Sequence, residues 1–351
     1  MDDITRREFI QRLLAWGLGA AGAGTLLSSV SCGPEPPPSP TISPTEPPTA
    51  SALRATLTPV PTLKPTRPPA TDTPEPTVTP APDDVYLAVA RGESPEAIVQ
   101  AALRALGGIE RFVQSGDDVI IKPNICVAYH TYEYAATTNP EVVVALVSLC
   151  LGAGAKRVRV MDQPFGGTPD QAYARSGIGE AVKAAGGQME VMARMKYQDT
   201  AIPEGRDITL WPLYQDVLKA DVLIDVPIAK DHGLARLTLG MKNLMGVILN
   251  RSGLHINLGQ RIADLTSLLR PTLTVVDGVR ILMDHGPGGG SLDDVKLMNT
   301  VIASPDIVAA DAYAATLFGL TGADIPAIVA GAEMGLGTMD LASVKIEEFS
   351  V

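Results

Sequence analysis

The stretch PIAKDHGLARLTLGMKNLMG, residues 227–246, sets two lysines, an arginine, an aspartate and a histidine among small and apolar residues. A surface segment has no need of the apolar flanks, and an interior one tolerates the charges only if they meet partners or a ligand. Lys230, His232 and Lys242 are the candidates for catalysis. Histidine can act as metal ligand, general acid–base or hydrogen-bond donor. Lys242, flanked by Met241 and Met245, reads as an anion clamp or a base of depressed pKa if buried. It reads equally as the partner of a structural carboxylate such as Asp225, or as a snorkelling surface lysine.

Other polar residues fall just past apolar runs, where they could join the same site. Lys122 and Asn124 close DVIIKPN, Asp162 closes KRVRVMD, and Asn243 follows Lys242. HGPGGG, residues 285–290, supplies Gly288 and Gly289, whose backbone N–H groups could cradle a phosphate or carboxylate. It matches neither the P-loop nor the dinucleotide fingerprint. Lys122, Asn124, Asp162, Asn243, Gly288 and Gly289 are therefore the expected substrate-binding set. The four histidines (130, 232, 255, 285) include no i,i+4 pair, so no helix-borne metal motif exists. His232, Asp277 and His285, drawn from separate loops, are the expected ligands if a divalent ion takes part. Asp311, among alanines in VAADAYAA, implies close packing and a buried partner, with a supporting role to the site as the sharper alternative.

The elements that must carry these residues alternate in type. Strands are expected at 117–121, 156–161, 221–226, 272–276 and 297–303. A helix capped by Asn139 with Pro140 in its first turn, and another with Ser304 and Pro305 in those places, fall between or after them. ASVKIEEF reads as an edge strand. The pattern predicts an α/β fold: a mainly parallel twisted sheet with helices on both faces. Ligands of such sheets bind beyond the carboxyl ends of the strands, so the five strand ends are expected to share one crevice.

The body is preceded by two segments of other character. In residues 1–33, TRREFIQ and the apolar run LLAWGLGAAGAGTLLSSV resemble a twin-arginine export signal, and Cys32 is the expected lipidation site. Residues 34–83 are rich in Pro and Thr. Of the chain's 29 prolines, 17 lie between positions 34 and 82, a composition that cannot bury a core and predicts an extended linker. Residues 84–351 form the expected globular domain. The resulting expectation is an exported, periplasmic or extracytoplasmic protein tethered to the membrane through its N-terminus, with the twin-arginine machinery as its export partner. After residue 33 no run is long and apolar enough to span a bilayer.

Composition narrows the partners. The 351 residues carry a net charge of −11, which disfavours nucleic acid but leaves room for a local basic pocket. Apolar residues make up 46% and aromatic ones 4%, so the core must be aliphatic. Without a CxxC motif among three cysteines, an iron–sulfur cluster held by this chain is not expected. Cys150, within EVVVALVSLCLGAG, reads as a small buried hydrophobe.

Together, IKPN, TTNPEVVVALV, GAKRVRVMD, VPIAKDHGLARLTLGMKNLMG, VVDG, GPGGG and SPDIVAADAYAATLFG resemble the domain of unknown function 362 family, in order from about residue 85 to the end. The resemblance implies no stated activity. Relatives fused to ferredoxin-type cysteine clusters carry iron–sulfur labels that this chain gives no reason to inherit. The Lys–Asp–His and Met–Lys–Asn block is also faintly similar to a Gly/Lys stretch of the nickel-pincer lactate racemases. The expected function is an enzyme binding a small anion, with or without a metal, at the carboxyl-end crevice. The alternatives are a non-catalytic metal or metabolite carrier and a structural surface protein whose charges pair internally.

Overall fold

The computed structural model describes residues 86–351. The expected export signal, Cys32 and the expected linker lie outside them. Among the described residues no helix is long and apolar enough to cross a membrane.

Among the described residues twelve strands follow one another. They are β1 (Leu87–Arg91), β2 (Asp118–Pro123), β3 (Arg157–Val160), β4 (Gln188–Met189), β5 (Tyr197–Ala201), β6 (Leu210–Tyr214), β7 (Val222–Val226), β8 (Ile228–His232), β9 (Arg236–Thr238), β10 (Leu273–Leu282), β11 (Val295–Ser304) and β12 (Ile346–Ser350). Ten form one sheet in the order β12-β1-β11-β10-β7-β2-β3-β4, with β8 joined to β10 and β9, while β5 and β6 make a separate hairpin. Pairing is parallel for β1/β12, β10/β7, β10/β8, β7/β2, β2/β3 and β3/β4, and antiparallel for β1/β11, β10/β11 and β8/β9. The mainly parallel α/β architecture expected from the sequence is the one observed, and the segment at 346–350 is an edge strand.

Alternation along each strand divides the core in two, because successive side chains leave opposite faces. Val119, Ile121, Val222, Ile224, Val275 and Val301 pack on one side; Ile120, Leu223, Val276 and Ile302 pack on the other. Helices α1 (Pro95–Ala105), α2 (Pro140–Gly152), α3 (Pro169–Arg175) and α4 (Ile178–Ala184) cover the first side. The short helices α5 (Gln215–Lys219) and α6 (Gly240–Asn243), with α7 (Leu258–Leu269), α8 (Ile307–Thr316) and α9 (Pro326–Glu333), contribute to the second. Burial on both sides explains why β7 reads as apolar nearly throughout, Asp225 excepted. Cys150 is fully buried in α2, and burial pushes its thiol up to about 12.

Helix starts follow their caps. Asn139 accepts the N–H of Glu141 ahead of Pro140, as expected. The last long helix begins later than the sequence suggested. Asp306 accepts the N–H of Ala309 and is itself held by the Ser304 hydroxyl, so Asp306, not Ser304, is its cap.

Three departures matter for the site. Pro227, which has no N–H to give a ladder, follows β7 where the expected strand ends, but the chain does not turn there; it resumes as β8, paired with β10 and β9. Lys230, Asp231 and His232 therefore ride on a strand and not on a turn. Next, β10 does not stop at residue 276 but continues to Leu282, which places Asp277 within the sheet. Lastly, β11 runs antiparallel to β10, so Ser304 and Asp306 emerge at the opposite end of the sheet from the other four strand ends. Asp306 there accepts the Tyr86 hydroxyl at 2.6 Å.

Candidate functional site: a cationic cavity at the strand ends

The carboxyl ends of β2, β3 and β8, together with α6 and the segment after it, enclose a cavity of about 280 Å³. Its lining includes Lys122, Asn124, Asp162, Lys230, His232, Lys242 and Asn243. Seven residues singled out in the sequence, spread over more than a hundred positions, thus meet in one place.

The floor is a locked ion pair. Lys122 is fully buried. Its ammonium lies 2.9 Å from Asp162 Oδ1 and donates to Asn243 Oδ1 and the Pro123 carbonyl, both at 3.0 Å, which occupies all three of its protons. Asp162 is equally committed: Oδ2 accepts the N–H of Ile125 at 2.6 Å, and Oδ1 accepts the N–H of Gln163 at 2.9 Å. Lys122, expected in the substrate-binding set, therefore has no charge left to offer a bound anion, since it is already neutralised inside the protein. Gly246 closes over this pair. A Cβ there would stand 2.0 Å from Asp162 Oδ1, so only glycine lets the chain pass.

Asn243 joins the floor to the wall. Its Nδ2 donates to the Lys122 carbonyl at 3.1 Å and to Asp225 Oδ1 at 2.8 Å, and its Oδ1 accepts from Asn124 Nδ2 at 3.0 Å as well as from Lys122. Asp225 lies opposite Lys122 in the β2/β7 register and is fully buried; Oδ2 has no hydrogen-bond partner. Burial pushes its carboxyl well above the usual range, against the pull of Lys122 and the Asn243 bond.

Lys230, also fully buried, reaches Asn124 Oδ1 at 3.1 Å, Cys126 Sγ at 3.2 Å, the Pro287 carbonyl at 2.9 Å and the Ala136 carbonyl. It meets no carboxylate among the described residues. The 285–290 loop serves the site through Pro287, not through its glycines. Gly288 stands against Tyr129 and Gly289 against His130, and neither lines the cavity, so the anion cradle expected of them is not part of it. Gly286 makes this docking possible, since a Cβ would fall 1.8 Å from the Asp231 carbonyl oxygen of β8.

Lys242 differs from the other two lysines. Its ammonium contacts only the Met245 sulfur, at 3.5 Å, and has no carboxylate partner among the described residues. Pairing with Asp225, one of the readings open in the sequence, does not occur. Burial lowers its pKa to about 8, helped by the charges of Lys230, Arg251 and Lys122. Asp311 supports it from behind: Oδ1 and Oδ2 accept the N–H groups of Gly240 and Met241 at 2.6 and 2.9 Å, fixing the start of α6.

His232 is corrected in role. Nδ1 accepts the N–H groups of Leu234 and Ala235, both at 3.1 Å, so Nε2 carries the ring proton. Burial, then the charges of Lys242, Lys230 and His255, lower its pKa to about 3. At neutral pH it is a neutral hydrogen-bond donor, ill suited to take up a proton. Binding a metal through Nε2 would require moving the proton to Nδ1, against two backbone donors.

The metal set expected from the sequence is not assembled. Asp277 is buried in β10, where Oδ2 accepts the N–H of Asn139 at 2.7 Å and Oδ1 that of Val279 at 3.0 Å, which ties the start of α2 to the sheet. Burial pushes its carboxyl up to about 6. His285 is exposed, outside the cavity, with Nδ1 3.0 Å from Asp294 Oδ2. Asp284, His285 and Asp294 do place ligand atoms within 4.8 Å of one another, although Asp294 already holds His285 and the N–H of Ser291.

Sequence reasoning missed Cys126, Arg251 and His255 among the lining residues. Cys126 lies two positions past Asn124 on the same strand end, which was signal enough to include it. Arg251 donates to the Gln163 carbonyl; it arrives through a run of tight 3-10 turns after α6 that no periodicity marks.

Residues 119–316, more than half of the chain, match the model of a family described as "Domain of unknown function (DUF362)". Thylakoid-associated protein sll1697 from Synechocystis sp. is 28% identical over 255 residues, 68% of this chain and 75% of that protein. Among solved structures, the lactate racemase apoprotein from Thermoanaerobacterium thermosaccharolyticum superposes with a TM-score of 0.40 and 12% identity over 63% of this chain, which spans 54% of that one. All the cavity residues, from Lys122 to Pro287, fall inside the family match, and the chain belongs to the DUF362 family.

Proposed function

We propose that the cavity binds a small molecule bearing a carboxylate or phosphate, and that the protein is an enzyme acting on it with Lys242 as its proton-transferring group. One observation carries this reading. Lys230, Lys242 and Arg251 face a single cavity with no carboxylate partner among the described residues, and its one carboxylate, Asp162, is consumed by Lys122. Unpaired positive charge at a buried site costs free energy that a bound anion returns. The same charge repels a divalent cation, so a metal taking part would bind at Asp284, His285 and Asp294, beside the loop that delivers Pro287. The amine of Lys242, poised near neutral pH, suits acid–base work. His232 Nε2–H would orient the bound anion.

The proposal includes address. TRREFIQ, the apolar run after it and Cys32 support export by the twin-arginine route and attachment outside the cytoplasm through a lipid on Cys32, with residues 34–83 as the spacer.

The test is titration calorimetry with a panel of small carboxylates and phosphates, on the wild type and Lys242→Met, followed by a turnover screen of any ligand found. Saturable binding by the wild type and its loss in the variant are expected. No anion bound by the wild type overturns the reading; binding without turnover of any bound ligand reduces it to a carrier.

A further inference from the structure

We propose that Lys242 Nζ forms an imine with its substrate, which is therefore a small anion carrying an aldehyde or ketone beside its charge, such as a 2-oxo acid. This rests on the anion-binding reading above, gives Lys242 a covalent role in place of proton transfer, and specifies the substrate class. Three features of the cavity lead there. Lys122 and Lys230 spend every ammonium proton on fixed acceptors, so neither can present a lone pair. Lys242 alone opens on the cavity with nothing but a thioether beside it. Burial, and then crowding by Lys230 and Arg251, favours its neutral, nucleophilic form, the means by which buried lysines are activated for carbonyl chemistry. Finally, His232 offers a neutral Nε2–H in the same cavity, a donor for the oxygen of a carbonyl under attack. Arg251 keeps N–H groups beyond the one given to Gln163 and can hold the charged end of the substrate.

The step balances without a further reagent. The Nζ lone pair adds to the carbonyl carbon, and the carbonyl oxygen takes up a proton. The nitrogen then loses its protons as the hydroxyl leaves as water, giving C=N. The imine draws electron density from the carbon next to it, so the chemistry open to it is removal of a proton from that carbon, or departure of CO2 from a carboxylate that the same carbon carries, with the electron pair passing into C=N.

The experiment is reductive trapping. The full chain is incubated with glyoxylate or pyruvate at pH 7.5, reduced with borohydride and mapped by peptide mass spectrometry. The peptide holding Lys242 is expected to carry the reduced adduct at least about tenfold ahead of exposed lysines such as Lys156 and Lys183, and excess phosphate or oxalate should protect it. In Lys242→Arg the adduct at this position should be lost. Glyoxylate and pyruvate bound by calorimetry but not trapped would overturn the imine and leave the anion site standing. Labelling of Lys242 no faster than of surface lysines would also overturn it. Absence of any anion binding removes both proposals.

Discussion

Lys242 is where stability and function pull apart most clearly. Its pKa falls from the ordinary lysine range to about 8, so the unfolded chain binds the proton more tightly than the folded protein. That difference lowers stability at every pH below about 8. It is relieved as pH rises from about 8 towards 10.4, where the unfolded chain too loses the proton. The penalty at pH 7 is at most roughly 3 kcal/mol, less what solvent screening removes. Lys242→Met should therefore raise the melting temperature at pH 7 and lose that advantage near pH 10, while abolishing anion binding. Melting curves across pH 6–10 check it; a variant destabilised at pH 7 would identify Lys242 as a structural lysine. The groups facing it from the surrounding elements are Lys122, Lys230, Arg251, His232, His255, Cys126 and Asp162. The opposite case is Asp162→Asn, which leaves Lys122 buried without its counter-charge and should cost about 3–5 kcal/mol by denaturant unfolding. The double variant Lys122→Met with Asp162→Asn should recover much of that loss, because the buried pair is removed together. Lysines at strand ends were legible in the sequence as special. Which of them is neutralised, saturated or free was not, because that depends on acceptors contributed by the Pro123, Ala136 and Pro287 carbonyls, which no side-chain pattern announces.

At the scale of elements, α6 is only four residues long and cannot be stable by itself. Asp311 of α8 supplies what it lacks by accepting the N–H groups of Gly240 and Met241. Asp311→Asn leaves one of those donors facing an amide N–H₂, with an expected cost of about 1–3 kcal/mol. Since α6 carries both Lys242 and Asn243, anion affinity should fall with it, by about tenfold for each 1.4 kcal/mol transmitted. The sign with pH differs from that of Lys242. Burial raises the Asp311 carboxyl to about 7, so the folded protein holds this proton longer than the unfolded chain. Between pH 4 and 7 the group makes stability decline as pH rises, a slope that Asp311→Asn removes. Strand and helix placement was readable because β2, β7 and α2 obey simple rules of apolar runs and caps. The errors fell where pairing decides. Nothing local distinguishes a strand that ends at Asp277 from one that continues to Leu282, nor reveals that β11 runs antiparallel, since both are settled by the neighbours with which they exchange hydrogen bonds. Those two errors removed Asp277 and the Ser304–Asp306 end from the expected crevice.

For the whole molecule, a net charge of −11 surrounds a cavity whose unpaired charges are positive. A small anion is repelled at long range and held at short range, so specificity resides in the cavity and not in steering. A net charge of that sign gives the chain no overall electrostatic pull towards an anionic membrane, and the tether proposed at Cys32 would supply that location instead. The proposal separates into two steps, each with its own variant. Arg6→Lys with Arg7→Lys should leave the precursor in the cytoplasm with the body intact, because recognition of the pair demands planar guanidinium groups that an ammonium does not mimic. Cys32→Ala should permit export but move the protein from the membrane to the soluble extracytoplasmic fraction, since the acyl chains that hold it are gone. Fractionation of cells expressing the three forms, with anion binding measured on each, decides the matter. Membrane association that survives Cys32→Ala would assign the anchor to the apolar run of residues 13–30, and export that survives the double lysine change would assign it to another route.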